Sequence, residues 1–192
     1  ICDTDPDGLS AATIIKKSLA RLGKDSIILP KHHSDRSITD DLQESLKEIS
    51  NVIGADLALE GFGNKERLYD KPVLVIDHHP VEGEDFIKYK PEEGSKTSTS
   101  IHAYELFSEY VDIEDLKWLA VFGAVGDTVQ KHHLGLFHEI VGEMEPEEVW
   151  NTDFGKAVNY VTYADCVGTE VAYQKAIQAM DRAEKAEDLL EL

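Results

Sequence analysis

Four short runs in this sequence have residue types and spacing fit for chemistry. Asp3-Thr4-Asp5-Pro6-Asp7-Gly8 carries three carboxylates at alternate positions. Asp56 closes the apolar run Val52-Ile53-Gly54-Ala55. Asp77-His78-His79-Pro80 follows Val73-Leu74-Val75-Ile76, and Gly126-Asp127 lies late in an apolar helical stretch. Carboxylates brought together repel one another and lose water, so their gathering calls for a cation. Carboxylates with imidazole and no thiolate suit Mn²⁺, Mg²⁺ or Zn²⁺. Such a set is large enough for two ions with one carboxylate shared between them. Singly, each run has an ordinary reading. Asp-x-Asp-x-Asp-Gly resembles a calcium loop, although the downstream Glu of an EF-hand is absent. A strand-end Asp is often a helix cap, and a His-His pair is often a polar loop. The combination is what stands out.

These runs must be placed by regular elements. Ile1-Cys2 reads as the end of a strand. Leu9 to Leu22 reads as a helix stopped by Gly23, with Leu9, Ile15, Leu19 and Leu22 on one side. Ser26 to Pro30 reads as a strand, and Ser37 to Ile49 as a helix with Ile38, Leu42, Leu46 and Ile49 at helical spacing. Val52 to Leu57 and Val73 to Asp77 are short apolar runs fit for buried strands, and Phe86 to Tyr89 is a further candidate. Helices are expected over Ser98–Tyr110, Glu114–Val129 and from about Glu170 to Leu192. The alternation predicts an α/β fold: a mainly parallel, doubly wound sheet flanked by helices, with a helical C-terminal part. Right-handed crossovers put the strand C-terminal ends on one edge, where ligands of open α/β sheets gather. The four runs fall at that edge.

The same residues carry a family resemblance. Asp77-His78-His79 is similar to the signature of the DHH phosphoesterase superfamily. Asp5-Pro6-Asp7-Gly8-Leu9-Ser10-Ala11-Ala12 resembles its first motif, Asp56 its second and Gly126-Asp127 its fourth, all in order. That family includes RecJ-like single-strand exonucleases, oligoribonucleases and family II pyrophosphatases. The resemblance implies Asp5, Asp7, Asp56, His78 and Asp127 as ligands of two divalent ions, Mn²⁺ before Mg²⁺, with Asp56 bridging. Asp3 is a weaker ligand candidate. His79 would face the substrate phosphate, and Asp77 would orient an imidazole from behind. The implied activity is hydrolysis of phosphodiester bonds in a nucleotide, an oligonucleotide or a single-stranded nucleic acid. The implied alternative is a RecJ-like scaffold subunit of a replication complex, a role in which ligands are usually lost. Two places depart from the pattern: Ala58 stands where Gly is frequent, and Ile1 stands where pyrophosphatases and many oligoribonucleases have His. Residues 1–192 correspond to the catalytic domain, about 1–130 as the metal-binding core and about 131–192 as a helical extension or linker. The family's second, substrate-binding domain is not visible.

Other polar groups are weaker candidates. Ser95 to Ser100 precedes a helix, and Lys96, Thr97 and Ser98 there are candidates for holding a phosphate; an ordinary N-cap is the alternative. Lys131-His132-His133 is near enough to Asp127 to reach substrate, or is a solvated loop. Lys31-His32-His33 reads as surface, or at most as a contact to the far end of a substrate. Cys2 and Cys166 are too few for a disulfide framework and are expected to be small buried residues in a reducing cytoplasm. No run of about 18 apolar residues occurs, so no membrane span is expected. Lys and Arg number 19 against 38 Asp and Glu, a net charge of −19. That balance argues against tight, non-specific binding of nucleic acid, whose phosphates demand a basic face. A short single strand or nucleotide is the expected substrate, with a second domain or a replication or repair partner supplying basic surface. A central strand usually needs about five or six residues, so residues upstream of Ile1 are expected to complete the first one. The Ala/Glu/Lys-rich tail is expected to lead onward.

Overall fold

A computed structural model of the protein describes residues 1–32, 35–80, 83–91, 94 and 96–191. Strands β1 (Val52–Ala55), β2 (Val73–Ile76) and β3 (Ile87–Tyr89) form a parallel sheet in the order β1-β2-β3. Ala55 pairs with Ile76, and Ile76 with Tyr89. On the other side of β1, Cys2 makes single parallel bridges to Ala55 and to Pro30. Cys2, Ala55 and Ile76 are therefore level on adjacent parallel segments. The next residues, Asp3, Asp56 and Asp77, all leave the sheet at the same edge.

Alternation along the strands divides the core in two. Val73 and Val75 face one cluster with Ile38, Leu42, Leu59 and Phe62. Leu74 and Ile76 face a larger one built on Leu9, Ile14, Leu119, Phe122, Phe137 and Val158. Such a split follows from the two-residue period of a strand. Helix α1 (Pro6–Arg21) packs on α3 (Thr99–Ser108) and α4 (Lys117–Gly126) in the larger layer. α4 is buried over Trp118–Val125, and Phe122 meets Trp118 edge-on at 5.9 Å and Phe154 at 5.8 Å. Phe154 belongs to α6 (Asp153–Val167), which packs on α4 and α7 (Glu170–Arg182), while α5 (Leu134–Val141) packs on α4. The architecture is thus α/β and parallel, with helices on both faces.

Several elements differ from the expectation. Ser26–Pro30 is not a strand: only Pro30 bridges, and Ile27 is exposed, as suits a segment at the sheet's margin. The helix expected over Ser37–Ile49 shrinks to α2 (Asp40–Ser45), because Ser37 instead bridges Gly63. Leu22, placed on the inner side of α1, is exposed as its C-cap. Cys2 is buried but Cys166 is exposed. The last helix stops at Arg182 because Ala183 turns extended; Glu184 and Lys185 then donate their N–H groups to Asp188 Oδ2 at 2.9 and 3.2 Å. Ala183 and Ala186 are buried, and Leu189 and Leu190 pack against the larger core. That segment packs back onto α6. His33, Ser95 and Leu192 lie outside the described residues.

Candidate metal centre

The first loop is shaped by its own carboxylates. Asp5 caps α1, accepting the Gly8 N–H at 2.8 Å, with Pro6 at the first helical position. A Cβ on Gly8 would stand 2.7 Å from the Asp3 carbonyl oxygen, so the turn requires glycine. Asp7 is fully buried and accepts the N–H groups of Thr99 at 2.7 Å and Ser100 at 2.9 Å. It is the anion at the positive end of α3. Gly123 leaves room for it, because a Cβ there would collide with Asp7 Oδ1 and Ser100 Oγ.

The strand ends bring the remaining groups. Asp56 has a left-handed backbone (φ 60°) and its Oδ1 accepts Thr99 Oγ1 at 2.9 Å. His78 Nε2 lies 3.4 Å from Asp56 Oδ1 and 3.3 Å from Asp127 Oδ2. Its Nδ1 is 3.2 Å from the Gly94 carbonyl oxygen. That oxygen only accepts, so the neutral ring carries its proton on Nδ1 and keeps the Nε2 lone pair toward the carboxylates. Asp77 Oδ1 accepts the N–H groups of His78 and His79 and sits 2.7 Å from His79 Nδ1. Its other oxygen accepts the Ala58 N–H and pairs with Lys90 at 3.4 Å. Lys90 also donates to the His79 carbonyl. Asp127 caps the C-terminus of α4; its Oδ2 is buried and receives no hydrogen bond among the described residues, with His78 Nε2 3.3 Å away.

Among the described residues, three groups offer ligand atoms within 4.8 Å of one another: Asp7, His78 and Asp127; Asp3, Asp5 and Asp56; and Asp56, His78 and His79. Asp56 and His78 each belong to two. Burial, then Asp7 and Asp3, pushes the Asp5 carboxyl up to about 7. Burial, then Asp7 and Asp5, pushes Asp127 up to about 8, and Asp56 is raised by the same causes. Burial opposes the charge on His78, yet Asp56, Asp7 and Asp127 together raise it to about 10. Asp77 moves the other way: burial would raise it, but His79 and Lys90 hold it below the usual carboxylate range. A concentration of buried, mutually repelling carboxylates with one orphaned oxygen fits divalent cations.

These groups open onto a cleft of about 640 Å³, whose walls include Asp5, Asp56, His78, His79 and Asp127 together with Gly94, Lys131 and His132. Of the weaker sequence candidates, Lys131 and His132 thus reach the cleft. Thr97 and Ser98 are not among the residues that line this cleft. Both are buried, bonded to His102 and Ser100, and the N–H groups of the helix start go to Asp7 and to Ser98 Oγ. The Lys96 side chain is exposed and its carbonyl meets His133. Lys31 is buried against Asp35, and His32 lies 3.9 Å from Asp165. Thr99, Gly94 and Lys90 contribute through space and carry no signal in the sequence beyond the position of Thr99 at a helix start.

No family model matches the sequence, and no curated protein matches it. Solved structures do. One is that of exonuclease RecJ bound to manganese, with TM-score 0.69 and 18% identity over 99% of this chain and 57% of that one. Another is RecJ from Thermus thermophilus in complex with Mn²⁺, with TM-score 0.54 and 17% identity over 95% of this chain and 34% of that one. The chain therefore spans only part of the length of these relatives. The parallel α/β fold of this chain is therefore RecJ-like.

Proposed function

We propose that this cleft binds two divalent cations, Mn²⁺ in preference to Mg²⁺, and hydrolyses phosphodiester bonds of a nucleotide or short single-stranded nucleic acid. The observation that carries the proposal is the crossing of the ligand groups at Asp56: one buried carboxylate stands within reach of Asp3 and Asp5 on one side and His78 on the other. Asp56 would be shared between the two ions, with Asp7, His78 and Asp127 holding one and Asp5, aided by Asp3, the other. Bound in pairs, such ions neutralise phosphate oxygens and acidify a water. The chain's own residues do the positioning. α3 fixes Asp7 through two N–H groups, and Gly94 sets the tautomer of His78. Asp77 holds His79 Nδ1, leaving Nε2 available to a phosphate oxygen at the cleft. Lys131 on the rim adds a cation for an anionic substrate. Phosphoryl transfer needs little beyond such placement and charge.

With Mn²⁺ supplied, the chain should hydrolyse short oligonucleotides or dinucleotides in a panel with long single-stranded DNA, RNA and pyrophosphate. Long strands should be bound weakly and cut slowly, since the chain carries a net charge of −19. Asp56→Asn should abolish turnover. His79→Ala should keep metal and lose about a hundredfold in rate. Undiminished hydrolysis by Asp56→Asn would sink the mechanism. Metal binding without hydrolysis of any phosphoester would leave a non-catalytic scaffold.

A further inference from the structure

The loop that carries Asp3, Asp5 and Asp7 is tied to a helix far along the chain. Thr4 is fully buried, and its Oγ1 donates to Asp165 Oδ1 of α6 at 2.5 Å, across 161 residues of sequence. The Thr4 N–H donates to Asp3 Oδ1 at 2.6 Å. The Asp165 side chain is 15% exposed, with His32 Nε2 3.9 Å from the same oxygen. Asp3 and Asp5 form one cation-competent group with Asp56, and Thr4 between them turns instead toward α6.

An anchor for a buried hydroxyl does not need charge. A carbonyl or an amide would accept the same hydrogen bond. Asp165 adds a further carboxylate beside a loop already rich in them, and like charges repel strongly in a medium of low dielectric. The repulsion is offset where a cation is held. We propose that Asp165 is a positioning residue for the ion site of Asp3, Asp5 and Asp56, fixing their loop through Thr4 and strengthening the negative field there. The inference rests on the two-cation reading above, and it makes α6, within the helical C-terminal part, a working component of the metal centre.

Calorimetric titration of the full chain with Mn²⁺ tests this. Wild type should show two sites. Thr4→Val should weaken one of them about tenfold, the worth of a hydrogen bond to a charged group, and leave the other within about twofold. Asp165→Ala should weaken the same site by at least as much. Thr4→Val combined with Asp165→Ala should bind like Asp165→Ala alone, because the two side chains act through one contact. Thr4→Ser keeps the hydroxyl and should restore both affinities. Wild-type affinities in Thr4→Val and Asp165→Ala would overturn the inference while leaving the two-cation reading intact. So would equal weakening of both sites, which marks general damage to the fold. Fewer than two sites in wild type would remove the two-cation reading, and this inference with it.

Discussion

Asp5, Asp56 and Asp127 are carboxylates held where the protonated form is favoured, and His78 is an imidazole held where its charge is favoured. Both effects bear on stability in the same direction. A carboxyl raised from its ordinary value to about 7 or 8 burdens the folded state increasingly as pH climbs through that interval. A histidine raised to about 10 stabilises the fold below its ordinary value, and that gain drains away as pH rises toward 10. The metal-free protein, in chelator, is therefore expected to melt at a higher temperature at pH 6 than at pH 8. Mn²⁺ should reverse the order, since it favours the ionised ligands and adds about 2.7 kcal/mol at a hundredfold excess over Kd. Asp127→Asn should flatten the metal-free slope, which separates the site from the general repulsion of an acidic surface. A metal-free melting temperature that is equal or higher at pH 8 would contradict this account. At this scale the sequence was informative where a residue's place follows from a strand end. Asp3, Asp56 and Asp77 leave the sheet one residue after paired positions, as the apolar runs before them implied. It gave no sign, in the run of hydroxyls around Thr97 and Ser98, of the carboxylate 92 residues away that occupies the helix start.

The centre depends on how closely α1, α3 and α4 approach. Gly123 on α4 faces both Asp7 of α1 and Ser100 of α3, and Gly126 lies over Pro6. Gly123→Ala would force a Cβ into Asp7 and Ser100, costing about 1–3 kcal/mol as overpacking does. It should also pull Asp7 from the Thr99 and Ser100 N–H groups and weaken Mn²⁺ binding. Denaturant unfolding and metal titration of the variant would check both effects; unchanged Mn²⁺ affinity would show that Asp7 does not need this close approach. Helices with long apolar periodicity were legible, α1 and α4 above all. Segments whose pattern was satisfied by other means were not. Ile38, Leu42 and Leu46 are all buried as a helix would bury them, yet only Asp40–Ser45 is helical. The break after Arg182 was hidden because Ala, Glu and Lys are good helix formers. Their preference was overridden when Asp188 captured the N–H groups of Glu184 and Lys185.

For the whole molecule, the parallel α/β plan followed from alternation of element types, and the margin of the sheet did not. Ser26–Pro30 has the residues of a strand, but a margin is decided by neighbours that a local pattern does not contain. The crossing order has a further consequence, and it concerns rates. The candidate ligands run from Asp3 to Asp127, and only those within the first loop and the His78-His79 pair are close along the chain. The others meet only after the β1 and β2 crossovers have formed and α4 has docked. Closing such long loops comes before the contacts that reward it. A cation therefore has little to grip until the fold is nearly complete, and it acts on the finished structure. Stopped-flow refolding and unfolding with Mn²⁺ or chelator should show a folding arm almost unmoved and an unfolding arm slowed by nearly the whole gain in stability. Acceleration of the folding arm by a comparable factor would mean that the ligands assemble early. On the expected behaviour, the ions act as a brake on opening, and the lifetime of the folded chain is set by how tightly it holds them.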